Sequence, residues 1–214
     1  MSNVTSQLSI SLDGFVAGPN QSVENPIGEG GMRLHQWAFA TDTWHEQHGS
    51  DAGERTADSL VAEEVAQGIG AYIMGRKMFG GGDGPWDESW TGWWGEDPPY
   101  HTPVYVLCHH EREPLEMQGG TTFHFVTDGI ESALEQARKA AGERDISIGG
   151  GAQAIQQYLA AGLLEELEIS IVPLLLGGGE RLLDNLGDAE IELEQLRVVE
   201  GVGVTHITYR VVKS

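Results

Sequence analysis

The chain has 214 residues, with 33 acidic against 12 basic side chains, a formal charge of −21, one cysteine and 30 glycines. This length suits one compact domain, able to fold without disulfides or a structural metal. The charge argues against the basic face of a nucleic-acid binder and against attachment to an anionic membrane, and the lone Cys108 excludes an internal disulfide framework. Met1 to Thr5 lack the basic segment and apolar core of a signal peptide, and no apolar run approaches the ~20 residues of a membrane span, so a soluble, cytoplasmic protein is expected.

Leu8, Ile10 and Leu12 alternate with serines and predict a first strand, turned by Asp13-Gly14. Residues 18–55 read as a long polar excursion with a short helix around Leu34 to Glu46. Thr56 is placed to cap a helix running to about Gln67, with Leu60, Val61 and Val65 on one face. Ala71 to Met74 form a short apolar strand, followed by a loop from Gly75 to Tyr100 that carries Trp86, Trp90, Trp93 and Trp94.

Pro103 to Leu107 and Phe123 to Val126 read as strands. Asp128 and Glu131 suggest a capping box for a helix ending at Ala141-Gly142. Asp145 to Ile148 predict a strand, Gly149 to Gly151 a turn, and Ala152 to Ala161 a helix that buries Ile155, Tyr158 and Leu159. Glu168 to Val172, the region of Val198, and Thr205 to Val211 complete the strands. The alternation of strands and helices predicts an α/β fold with a mostly parallel sheet and an antiparallel C-terminal edge. With no repeat or linker, residues 1–214 are read as a single domain.

Three places suit an anion. Gly149-Gly150-Gly151 lies between a strand and a helix, where bare backbone and unpaired helix N–H groups can meet a pyrophosphate; a tight turn is the alternative. Gly75-Arg76-Lys77 puts two bases at a strand's C-terminal end, as a phosphate clamp or as a surface turn. Cys108-His109-His110 follows another strand and offers polar contacts to a phosphate or ribose. Adjacent histidines on a strand point apart, and His45-Glu46-Gln47-His48 is one residue short of H-E-x-x-H, so no metal site is assigned. A G-x-S-x-G elbow is missing, and Cys108 reads as a small buried thiol. The tryptophan segment is either a lid against a planar ligand or a cover over a core edge or subunit contact.

In order along the chain, Ser11-Leu12-Asp13-Gly14, Ile73 to Phe79, Val104 to His110, Ile148 to Gln153 and Leu163 to Gly179 resemble the dihydrofolate reductase-like superfamily. The branch most similar is the reductase domain of riboflavin biosynthesis, in a stand-alone form. The resemblance implies a mixed, mostly parallel sheet of about eight strands flanked by helices, and an NADPH site. Gly149, Gly150 and Gly151 would meet the pyrophosphate, with Ala152 and Gln153 opening the helix behind them and Gly149-Gly150 matching a cis peptide. Gly75, Arg76 and Lys77 would approach the cofactor phosphates. Leu107, Cys108 and His109 would lie near the adenosine 2′-phosphate, and Val16, Ala17 and Gly18 beside the nicotinamide.

The implied chemistry is hydride transfer to a small heterocyclic or carbonyl substrate, similar to that of 5-amino-6-(5-phosphoribosylamino)uracil reductase and dihydrofolate reductase. Asp58 matches the proton-delivering acid; an acid favouring the helix dipole is its other reading. Phe15 stands where the riboflavin reductases carry a base that grips a substrate phosphate. Members of the family are commonly dimers, so a homodimer is expected. Two other readings compete: a non-catalytic nucleotide-binding or protein-interaction module on the same fold, and a metal-dependent hydrolase using His45, His48 and His109.

Overall fold

Residues 2–82 and 84–212 are described by a computed structural model; the side chains of Val65 and Ala66 lie outside what is described. In chain order the elements are β1 (Val4–Ser11), β2 (Phe15–Ala17), a 3-10 turn (Gly31–His35), α1 (Gln36–Phe39), α2 (Asp42–Gln47), α3 (Ala57–Ala66), β3 (Ile69–Gly75), α4 (Arg76–Phe79), β4 (Pro103–Leu107), β5 (Leu115–Glu116), β6 (Thr122–Val126), α5 (Ile130–Ala141), β7 (Asp145–Gly150), α6 (Ala152–Ala160), β8 (Glu166–Val172), β9 (Glu180–Arg181), β10 (Glu192–Glu200) and β11 (Thr205–Val212). Nine strands hydrogen-bond in the order β10-β11-β8-β1-β7-β3-β4-β6-β5, and β2 pairs with β9. The count exceeds the expected eight because β5 spans only two residues, too few for a periodic signal. No helix among the described residues is long and apolar enough to cross a membrane.

The chain divides into two compact units. One comprises the described parts of Met1–Ser6, Gly68–Glu165 and Asn185–Gly187. Here β7 pairs in parallel with β1 and β3, β3 with β4, and β4 with β6, while β5 runs antiparallel to β6. Ala71, Ile73, Met74, Val104, Val106, Ile146 and Ile148 are all buried, as expected where both faces of a parallel sheet are covered. The Tyr105 hydroxyl donates to the Gln136 carbonyl of α5, and Tyr158 of α6 donates to the Ile130 carbonyl at the start of α5. Side chains alternate along a strand, so Val104 and Val106 point away from Tyr105. They join Met74, Phe79 and Phe123 in a cluster against which Trp86, Trp90, Trp94 and Tyr100 pack. Trp86, Trp90 and Trp94 of the tryptophan segment therefore cover a core face, as one of its two sequence readings expects.

Several local expectations shift. Helix α5 begins after Gly129, which has φ 95° and no side-chain cap, so Asp128 is not its N-cap; a glycine adopts that conformation without steric cost and makes the turn itself. Gly149 and Gly150 continue β7 rather than forming a turn, and the cis peptide joins Gly150 to Gly151, one residue later than expected. The Gly75 to Tyr100 segment opens with α4.

The other unit comprises Gln7–Gln67, Glu166–Asp184 and the described part of Asp188–Ser214. Strand β11 pairs antiparallel with both β8 and β10. Thr56 caps α3, its hydroxyl accepting from the Asp58 N–H while Ser59 Oγ accepts from the Thr56 N–H. The inward face of α3 carries Asp58 and Ser59 beside Val61, whereas Leu60 is 47% exposed. Leu12 falls beyond β1 and is exposed.

Phe123 is fully buried and touches the rings of Phe79, Trp94 and Tyr100. Phe123→Ala is expected to cost about 3–5 kcal/mol in denaturant unfolding. Val198→Thr, on the exposed strand β10, should stay within about 0.5 kcal/mol. Equal losses would contradict this assignment of the core.

Candidate functional site

Parallel register brings three strand ends together. Gly75 pairs with Leu107, and Met74 with Gly150. Open α/β sheets bind ligands beyond such carboxyl ends. A Cβ built on Gly75 would lie 3.8 Å from both the Gly150 carbonyl oxygen and the Gly151 nitrogen, so the bare edge of β3 faces this peptide. Met78 of α4 closes the other side: its sulfur would be 3.3 Å from a Cβ on Gly150. A Cβ on Gly151 would meet nothing within 4 Å. Helix α6 starts behind it with no side-chain cap, leaving first-turn N–H groups for another acceptor. Open space at Gly151 beside an uncapped nine-residue helix fits a pyrophosphate.

Around this seat, Ala152 is buried and Gln153 exposed. Arg76 lies over Trp86, 3.0 Å from the ring centroid, and its Nη2 donates to the Gly81 and Gly84 carbonyls. Lys77 is exposed, as is His109. Cys108 is buried, with its thiol donating toward the His110 carbonyl. Burial raises the thiol's pKa, and the His110 hydrogen bond and then the Arg76 charge oppose that rise; the Trp86 ring under Arg76 donates its N–H to the His110 carbonyl just beyond β4. Gly75, Arg76, Leu107, Cys108 and Gly149 to Gln153 thus belong to one neighbourhood.

Val16, Ala17, Gly18 and Asp58 belong to the other unit. The first three lie on and just after β2; Gly18 donates to the Ile27 carbonyl, and Phe15 pairs with Arg181 of β9. The Arg181 guanidinium lies 4.9 Å over the Phe15 ring, bringing a cation to the place where the sequence lacks one. Asp13 organises the turn before β2. Its carboxylate accepts from the Ser11 hydroxyl at 2.6 Å and from the Leu176 and Gly177 N–H groups. These bonds, the Ser11 bond foremost, lower its pKa to about 2.

Asp58 is 2% exposed, and both its oxygens are engaged. Oδ1 accepts from His206 Nε2 at 3.0 Å; Oδ2 accepts from the Val202 N–H at 3.0 Å. A carboxylate only accepts, so Nε2 carries the imidazole proton. Nδ1 lies 2.8 Å from Ser170 Oγ, and the ring meets Trp37 edge-on. His206 and Ser170 are register partners on β11 and β8. Sequence reading missed both; the one available signal was a histidine within the alternating strand Thr205 to Val211. Although the order Asp, His, Ser is that of a hydrolase relay, Ser170 is fully buried and cannot reach a substrate. No group of three or more His, Cys, Asp or Glu that could hold a metal occurs among the described residues.

Comparison with known proteins follows the same lines. A family model described as the RibD C-terminal domain matches residues 2–206. The Bacillus subtilis (strain 168) protein YyaP, named as uncharacterized, is 24% identical over 209 residues, covering 94% of this chain and 91% of its own. Among solved structures, a Shewanella sp. PV-4 protein assigned by its name to riboflavin biosynthesis aligns over 100% of both chains at 22% identity and TM-score 0.62. The Saccharomyces cerevisiae riboflavin biosynthesis reductase Rib7 aligns over 99% of this chain and 89% of its own, at 14% identity and TM-score 0.56. A dihydrofolate reductase from Enterococcus faecalis complexed with NADP(H) aligns over 99% and 97%, at 14% identity and TM-score 0.54. These likenesses establish a dihydrofolate reductase-like fold.

Two measurements test the geometry in the second unit. Because the folded pKa of Asp13 is depressed, its contribution to stability is present above the ordinary carboxylate range and is lost as pH falls toward about 2. The stability gap between wild type and Asp13→Asn, read from urea midpoints, should therefore shrink between about pH 4 and pH 2; a constant gap would rule out this linkage. Separately, a Cβ on Gly201 would lie 1.8 Å from Asp58 Oδ1. Gly201→Ala should cost about 1–3 kcal/mol and speed hydrogen exchange at the Val202 amide. An unchanged Val202 amide would show that Asp58 does not hold this turn.

Proposed function

Since the chain belongs to the RibD C-terminal domain family, we propose that it is an NADPH-dependent reductase acting on a small heterocyclic or carbonyl compound. The observation that carries this reading is the convergence of Gly75, Leu107 and the Gly150-Gly151 peptide at three adjacent parallel strand ends, in front of the uncapped start of α6. Backbone N–H groups at Gly151 and in the first turn of α6 would hold the pyrophosphate. Arg76 would supply charge for the 2′-phosphate, with Cys108 and His109 beside it. Val16 to Gly18 would face the nicotinamide, as the family resemblance implies. When bound, the reduced nicotinamide supplies the hydride, while the protein orients donor and acceptor.

Asp58 takes the second of its two sequence readings in this proposal. With His206 and Val202 on its oxygens, it fixes the start of α3 to the turn before β11, and proton delivery is not assigned to it. Riboflavin-pathway pyrimidines are the first compounds to try, because reductases of that pathway share this fold.

Titration with NADPH and NADH, read by the fluorescence of the six tryptophans, tests the reading directly. Wild type should prefer NADPH, and Arg76→Ala should weaken NADPH about ten- to a hundredfold while leaving NADH nearly unchanged. No binding at millimolar NADPH would overturn the proposal. Binding without NADPH oxidation across pyrimidine, pterin and carbonyl panels would favour a nucleotide-binding module instead.

A further inference from the structure

Trp86 differs from its neighbours in the tryptophan segment, because its indole meets two cations. The Arg76 carbon Cζ lies 3.0 Å from the ring centroid and that of Arg112 lies 5.2 Å from it. The indole N–H donates to the His110 carbonyl at 2.8 Å, which ties the ring to the segment leaving β4. The Arg112 side chain is only 4% exposed. Its Nη2 donates to the Glu88 carbonyl and its Nε lies 3.3 Å from Glu88 Oε2. Its Nη1 is buried with no hydrogen-bond partner among the described residues, and the faces of Trp86 and Phe125, the latter at 5.1 Å, add to the Glu88 carboxylate in compensating that cation. Both guanidinium groups therefore meet the electron-rich face of one indole.

We propose that Trp86, backed by Arg112, is a positioning residue that holds Arg76 ready for the phosphate of the cofactor, making the tryptophan segment a specificity element for a phosphorylated dinucleotide. This rests on the NADPH reading above. A free arginine side chain loses considerable rotamer freedom when it grips a ligand. Here that loss is taken in the unliganded protein, by the indole face and by the Gly81 and Gly84 carbonyls. A ligand that uses Arg76 therefore binds a preorganised cation.

Calorimetric titration of wild type, Trp86→Leu, Trp86→Phe, Arg112→Met, Arg76→Ala and the Trp86→Leu/Arg76→Ala double variant with NADPH and NADH tests this, after thermal melts establish that each variant folds. Trp86→Leu should weaken NADPH about tenfold and NADH less than about twofold. Trp86→Phe keeps a ring face and should recover part of the loss, and Arg112→Met should shift selectivity in the same direction by less. The double variant should bind NADPH no worse than Arg76→Ala alone. Equal losses for both cofactors, or additive losses in the double variant, would overturn the positioning role while leaving the NADPH reading intact. Should Trp86→Leu fail to fold, the Phe and Met variants carry the same selectivity test. Wild type that binds neither cofactor overturns both readings together.

Discussion

The parallel pairing of β3 with β4 and β7 fixes where every group of the candidate phosphate seat can stand. Gly75 opposite Leu107, and Met74 opposite Gly150, are consequences of register, and register here is set by how the buried side chains pack in the layer on each face: Ile73 and Met74 on β3, Val104 and Val106 on β4, Ile146 and Ile148 on β7. A slip of one residue would turn each of these to the opposite face. It would also separate the bare edge of Gly75 from the Gly150-Gly151 peptide. The core thus determines the site's geometry, and the glycines determine only that backbone, rather than side chains, lines it.

A chain with a charge of −21 sets a second condition on a polyanionic ligand. Most of its long-range field is unfavourable, so binding depends on short-range donors in a low-dielectric setting. Backbone N–H groups at a helix start meet that need without adding cations. Several bases serve the scaffold: Arg55 bridges Asp42 and Glu63, Arg197 pairs with Glu64, and Arg210 with Glu194. Arg76 packs on an indole face and donates to peptide carbonyls, contacts that orient a guanidinium. Arginine suits this position better than lysine, whose compact ammonium stacks poorly on a ring.

The pieces of the candidate phosphate seat were legible in the sequence because each is short, contiguous and at a strand end: Gly75-Arg76-Lys77, Leu107-Cys108-His109 and Gly149 to Gln153. Apolar runs and glycine stops located those ends, apart from a one-residue displacement of the cis peptide and the extension of β7 through Gly150. The tryptophan segment was open to two readings because aromatic rings suit a ligand wall and a core cover alike. The distinction depends on which face of β4 they meet, and that required knowing that Tyr105 points to α5. Cap geometry was similarly local but undecided. Thr56 behaved as expected, whereas Asp128 lost its role to the conformational freedom of Gly129.

Asp58 illustrates why the rest could not be read. Its partners His206 and Val202 are 148 and 144 residues away, on β11 and in the turn before it. An acid near a helix start has the same local signature whether it faces a ligand or a buried imidazole. What separates the two is the environment of the carboxylate, and here a histidine, a backbone N–H and the edge of Trp37's indole against that histidine occupy it. In this chain the candidate cofactor-binding pieces lie at the ends of β3, β4 and β7, and the Asp58 carboxylate ties the start of α3 to the turn before β11.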